Sequence, residues 1–151
     1  MSINFNGVQH GYFKCSQGVR QGDPLSPLLF FLDEDVLSKN IGKLVLNDDL
    51  ELIKSSKNTI IPSHIVFAND ILLFCTGKLL NIWALKKVFQ DYSKASGQNI
   101  NLSKSFFYPG EINSKKIRKI IALTGFRSGS LPFTYLGVPL FNRRVKVCHF
   151  S

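Results

Sequence analysis

Residues 78–151 hold 13 Lys/Arg against 2 Asp/Glu, a balance of +11, whereas residues 1–77 hold 6 against 8, a balance of −2. A basic half suits a surface that tracks phosphates, because each neutralised phosphate releases condensed counterions. The densest cluster is Lys115, Lys116, Arg118 and Lys119. It reads either as a phosphate-contacting helix or as a solvated helix face. A second chemical feature is the polar pair Asn69-Asp70, set between two apolar runs. A third is Gln21-Gly22-Asp23-Pro24, where Gly22 lets backbone approach a ligand and Gln21 can donate or accept hydrogen bonds, unless it is an ordinary glycine turn before a helix. Lys104 is by itself a surface lysine, and Tyr135-Leu136-Gly137 by itself a core strand with a glycine bulge. Cys15, Cys75 and Cys148, with His10, His64 and His149, fall in neither disulfide-framework nor metal-ligand spacing. The cysteines read as free thiols of an intracellular protein.

Several elements must position these residues. Ser2 to Asn6 alternates as a strand, Gly7 turns the chain, and Gly11 to Cys15 reads as the return strand. Ser26-Pro27 supplies a cap and first helical position for a helix from Leu28 to about Asn40, with Leu28, Leu29, Phe31, Leu32 and Val36 as its buried face. Residues 42–59 read as polar and irregular, with a short strand at Glu51 to Ile53. The runs Ile65 to Ala68 and Ile71 to Phe74 predict a hairpin buried on both faces, with Asn69-Asp70 at its tip. Leu79 to Ser96 is the clearest helix, with Leu80, Trp83, Val88, Phe89 and Tyr92 broadly on one side and Gly97 ending it. Phe106 to Tyr108 reads as a strand, Ser114 as the cap of a basic helix running to Thr124, and Tyr135 to Leu140 as a last strand. This order suits an α+β sheet carrying helices on one face.

At 151 residues and 44% hydrophobic, the chain can bury one core and lies far from disordered compositions. No run approaches the roughly eighteen apolar residues of a membrane span, and the N-terminus lacks the basic-then-apolar pattern of a secretion signal.

Three segments, in this order and spacing, resemble the reverse transcriptases of plant LINE-type (non-LTR) retrotransposons. They are Gln17-Gly18-Val19-Arg20-Gln21-Gly22-Asp23-Pro24-Leu25-Ser26-Pro27-Leu28-Leu29-Phe30, then Phe67-Ala68-Asn69-Asp70-Ile71-Leu72-Leu73-Phe74, then Ser96-Gly97-Gln98-Asn99-Ile100-Asn101-Leu102-Ser103-Lys104-Ser105. Tyr135-Leu136-Gly137-Val138-Pro139-Leu140 is similar to that family's primer grip, and Val147 to Phe150 is similar to the family's next stretch of chain. The resemblance implies a partial right-hand polymerase palm: a ferredoxin-like antiparallel sheet with helices on one face, truncated at both ends. Residues 1–110 would be palm and finger edge; residues 111–151 would be the basic helix, primer-grip strand and start of the thumb. It also implies an RNA/DNA template-primer and a nucleoside triphosphate as partners, and Mg²⁺ as cofactor. Arg20, Gln21, Gly22 and Pro24 would belong to the nucleotide-binding loop, and Lys104 would stand near the leaving pyrophosphate as general acid or charge stabiliser.

The chemistry explains those residue types. Attack of a primer 3′ oxygen on an α-phosphate is promoted by two divalent ions about 3.5–4 Å apart, and Mg²⁺ prefers carboxylate ligands. In the family, these come from an aspartate on an early strand and an aspartate pair at the tip of the central hairpin. Here the first of the pair is Asn69, whose amide offers an oxygen but no charge. No Asp or Glu precedes Asp23, so only Asp70 of the expected carboxylates is present. The expectation is therefore a weak, incomplete metal site and a reverse-transcriptase remnant inactive as this fragment. A non-catalytic basic nucleic-acid-binding module and an interaction protein using an exposed palm surface are the alternatives.

Overall fold

The computed structural model describes residues 3–12, 22–54 and 61–141. Two short strands, β1 (Ile3–Phe5) and β2 (Val8–His10), pair antiparallel around Asn6-Gly7. Both turn residues have positive φ, +51° and +81°, which is the backbone that Asn-Gly adopts at little cost. The return strand is thus Val8–His10 rather than Gly11 to Cys15, because the two-residue turn fixes the register. Residues 13–15 lie outside the described residues.

Helix α1 spans Ser26–Leu46. Its cap position is Leu25, with Ser26-Pro27 already helical, because the Asp23 carboxylate accepts from the Leu25 amide at 2.9 Å and completes the turn one residue earlier. The helix runs six residues beyond Asn40, through Gly42, to a reversal in which the amides of Asp49 and Leu50 both donate to the Leu44 carbonyl. The face expected to be buried is the exposed one: exposure runs from 45% at Leu29 to 69% at Phe31, with Leu28, Leu32 and Val36 between. Leu37 and Ile41 are buried instead. They lie on the opposite side of the helix, and that side meets helix α2 (Leu79–Ser96).

The core is the cluster Leu37, Ile41, Leu50 and Leu85, with Ile71, Leu73, Val88, Phe89 and Cys75 packed against it. Burial pushes the Cys75 thiol up to about 11. Helix α2 has the expected bounds and ends at Gly97 in the left-handed conformation. Its apolar positions divide, however: Val88, Phe89 and Tyr92 join the core, while Leu80 and Trp83 stay exposed. Residues 51–54 form no strand. Instead the Glu51 carbonyl accepts from the Thr76 amide at 2.9 Å and from the buried Asn81 side chain at 3.3 Å. Asn81 also donates to Thr76 Oγ1 at 2.8 Å, so one amide ties the residue after the core reversal to the start of α2.

Strands β3 (His64–Phe67) and β4 (Asp70–Leu73) form the predicted hairpin one residue earlier than expected, and its second face is largely open: Ile65 and Phe67 are exposed, while Leu72 opposite Ile65 is half-buried. After a 3₁₀ turn at Leu102–Lys104, β5 (Phe106–Phe107) pairs in parallel with β6 (Arg127–Ser128) across helix α3 (Ser114–Thr124). The cap of α3 is Asn113 rather than Ser114, since Asn113 Oδ1 accepts the Lys116 amide at 2.8 Å. The expected last strand is itself a hairpin, β7 (Phe133–Tyr135) and β8 (Val138–Leu140). The architecture is α+β. Among the described residues the strands make four separate two-stranded sheets, and not one continuous antiparallel sheet.

Candidate functional site

The β3–β4 hairpin reverses through Ala68-Asn69. Ala68 carries φ +47°, the left-handed region that costs a side-chain-bearing residue about 1–2 kcal/mol. Strain of this kind clusters where geometry serves function. Asn69 and Asp70 come next and are exposed, Asp70 opening β4 opposite Phe67.

The β7–β8 hairpin turns through Leu136-Gly137, with φ +50° and +79°. Tyr135 immediately precedes the turn. Its hydroxyl is shielded from solvent and has no hydrogen-bond partner among the described residues. Burial raises the Tyr135 phenol above its ordinary range, and the negative charge of Asp70 pushes in the same direction. The structure therefore brings Tyr135 and Asp70, from two distant sequence segments, within electrostatic reach. Tyr108 holds the second hairpin in place by stacking on Phe133, ring centroids 3.7 Å apart. Gly129, beside the same ring, leaves no room for a side chain: a methyl group there would overlap Tyr108.

The other predicted residues are placed separately. Gly22 has φ +83° and open space where a side chain would stand, so backbone conformation, not crowding, requires glycine there. Pro24 is exposed just before α1. Arg20 and Gln21 lie outside the described residues. Lys104 ends the 3₁₀ turn, exposed, beside Ser103, whose carbonyl accepts from the Arg127 guanidinium. Arg127 in turn lies 4.4 Å above the Phe106 ring. On α3, Lys115, Arg118 and Lys119 are exposed, whereas Lys116 is half-buried and its stem lies toward Gly77. Three of the four cations thus face solvent.

Two polar clusters escaped the sequence reading. Asn81 is one. The other is His64, whose ring nitrogens meet Ser38 Oγ at 2.7 Å and Ser63 Oγ at 2.8 Å, fastening β3 to α1. Burial lowers its pKa. Only tertiary structure pairs Ser38 with His64, and neither residue stands in a recognisable motif.

Among the described residues, no three His, Cys, Asp or Glu side chains converge as a metal-binding group. At the hairpin tip, Asp70 and Asn69 supply one carboxylate and one amide. Two neighbouring dications require more negative oxygen than that, so these residues by themselves do not fit a two-ion centre.

The strained β3–β4 turn thus sets Asn69 and Asp70 at one hairpin end, the β7–β8 hairpin carries Tyr135 within reach of the Asp70 charge, and helix α3 carries three exposed cations. Residues 1–140 match the family model of the reverse transcriptase (RNA-dependent DNA polymerase), and the chain belongs to that family. Over 65 residues, 43% of the chain, it is 42% identical to an uncharacterized mitochondrial protein of Arabidopsis thaliana, covering 53% of it. Over 105 residues, 70% of the chain, it is 30% identical to a retrovirus-related Pol polyprotein from a type-2 retrotransposable element of Drosophila melanogaster, covering 9% of that protein. The chain thus spans about half the length of one curated relative and about a tenth of the other.

Proposed function

We propose that this chain is a reverse-transcriptase palm segment of a plant LINE-type (non-LTR) retroelement, and that it does not extend primers as it stands. The observation that carries this reading is Asn69 at the strained hairpin tip. A neutral amide occupies the position of the family's first paired aspartate, beside a single carboxylate, Asp70. Losing one negative charge from a site for two dications weakens both. The Arabidopsis and type-2 retroelement matches support the ancestry. In this reading Gly22 and Pro24, with Arg20 and Gln21, belong to the nucleotide-binding loop, Tyr135 to Gly137 to the primer grip, and Lys104 to the leaving-group side.

Primed RNA template, nucleotides and Mg²⁺ or Mn²⁺ test the reading directly: the expected outcome is no primer extension by the chain, nor by Asn69→Asp alone. Template-dependent extension that disappears in Asp70→Ala would overturn it. The exposed cations of α3 favour a second reading, weak binding of nucleic acid without sequence preference. Affinity should then fall steeply with salt, and changing Lys115, Lys116, Arg118 and Lys119 to glutamine should flatten that dependence. An unchanged salt slope would exclude α3 as the contact.

A further inference from the structure

Two apolar surfaces of this molecule are left uncovered by the described residues. One is the N-terminal half of α1, where Leu25, Leu28, Leu29, Leu32 and Val36 are all exposed. Their spacing places them on one stripe, which spans roughly 16 Å at a helical rise of 1.5 Å per residue. The other is an open groove of about 710 Å³ between α2 and α3, whose floor is Leu79, Leu80, Trp83, Ala122 and Leu123, with Lys119 on its wall. Helix α3 has 11 residues, so by the same rise it too runs for about 16 Å.

The borders of these surfaces are oppositely charged. At about 100° per residue, Asp33 and Asp35 fall on either side of the α1 stripe; Lys39 already meets Asp35 at 2.6 Å. Residues 22–39 carry four Asp/Glu and that one lysine. Around the groove, Lys115 lies one turn before Lys119, and Lys87 one turn after Trp83. Residues 78–124 carry nine Lys/Arg against two Asp/Glu, and α3 itself has no acidic residue. The groove floor has four aliphatic side chains and a single aromatic. Nucleic-acid bases need repeated flat platforms, whereas a leucine stripe needs an aliphatic trough.

We propose that copies of this chain associate head to tail, the α1 stripe of one copy docking in the α2–α3 groove of the next. The two surfaces differ, so the contact is heterologous and grows into rings or open chains rather than a symmetric dimer. One helix stripe offers less than the roughly 800 Å² per partner of a standard interface, which puts the contact in the small, reversible class.

Sedimentation of the whole chain across a concentration series, at low and high salt, reads this out. The expected result is concentration-dependent association that weakens with salt. Lys115→Glu/Lys119→Glu should weaken it about tenfold, the size expected when two attractive pairs near the surface are made repulsive. Asp33→Lys/Asp35→Lys should do the same, and mixing the two charge variants should restore association between them. Leu28→Asp/Leu32→Asp should abolish it, with circular dichroism confirming that the helices persist. Should the leucine variant unfold, the charge exchange between Lys115/Lys119 and Asp33/Asp35 decides alone. A monomer at every concentration, charge variants that associate as before, or a mixture that fails to restore association would each overturn the proposal. So would charge variants whose only defect is in binding single-stranded RNA, which would give the groove to nucleic acid.

Discussion

The core and the hairpins are stabilised by opposite means. Around Leu37, Ile41 and Leu50, backbone and side chains agree: α1 ends in a satisfied reversal, Asn81 makes three hydrogen bonds, and the apolar cluster is closed. At the β3–β4 and β7–β8 turns, Ala68 and Leu136 hold a left-handed backbone that β1–β2 assigns to Asn6-Gly7. Those two strained turns carry the candidate site and the unstrained one does not. Stability and site geometry are therefore carried by different residues, and substitutions should separate them.

The largest separation is expected in α1. Ile41→Ala should cost about 2–5 kcal/mol of unfolding free energy by leaving a cavity. Leu32→Ala, one helix face away, should change it by no more than about 0.5 kcal/mol. Urea unfolding checks both, and equal losses would mean the two halves of the helix are packed alike. Next, Gly129→Ala should cost about 1–3 kcal/mol by overpacking against Tyr108. Faster amide exchange confined to the β7–β8 hairpin would locate the damage. Ala68→Gly should act in the reverse direction, a gain of about 0.5 kcal/mol, since relieved left-handed strain outweighs the added unfolded-state freedom. Asn6→Gly should give no such gain, because asparagine tolerates that region. Equal responses at the two turns would erase the distinction between them.

The smallest effect is in pH dependence at the seam between the two regions. His64 is held neutral by burial, its pKa below the ordinary 6.5. The unfolded chain therefore takes up its proton first as pH falls. Its contribution is fully present above about 6.5 and is lost below it, down through the folded-state pKa. Glu34, raised by burial, acts oppositely at lower pH: the fold takes up that proton first and gains stability as pH falls through the carboxylate range. His64→Gln, which keeps hydrogen-bonding capacity without the titration, should flatten the upper limb of a stability-against-pH curve.

The legible parts of the sequence were those with local causes. Helices α2 and α3 end where Gly97 and Gly125 adopt φ of +76° and +75°, and a glycine after a periodic run announces that directly. The β3–β4 hairpin was likewise legible from two apolar runs flanking a polar pair, although its turn is Ala68-Asn69 and Asp70 already opens β4, one residue earlier than the pattern suggested. The buried side of α1 was not, because periodicity identifies a stripe without saying what lies against it. Strand pairing was hidden for the same reason: a two-residue strand such as Arg127–Ser128 gains its identity from a partner, Phe106–Phe107, across a whole helix. The approach of Tyr135 to Asp70 also depends on tertiary packing, anchored by a Tyr108–Phe133 stack that no motif announces.

Trp83 is the sole tryptophan of the chain, and it stands 57% exposed on the floor of the α2–α3 groove. Indole emission shifts to shorter wavelength when water leaves its surroundings, so the protein carries its own optical probe at one defined place. Anything that fills the groove changes the colour of this single fluorophore, while events confined to the hairpin tips leave it untouched. Unlabelled protein thus reports on the groove alone, even in mixtures too dilute or too heterogeneous for hydrodynamic measurement.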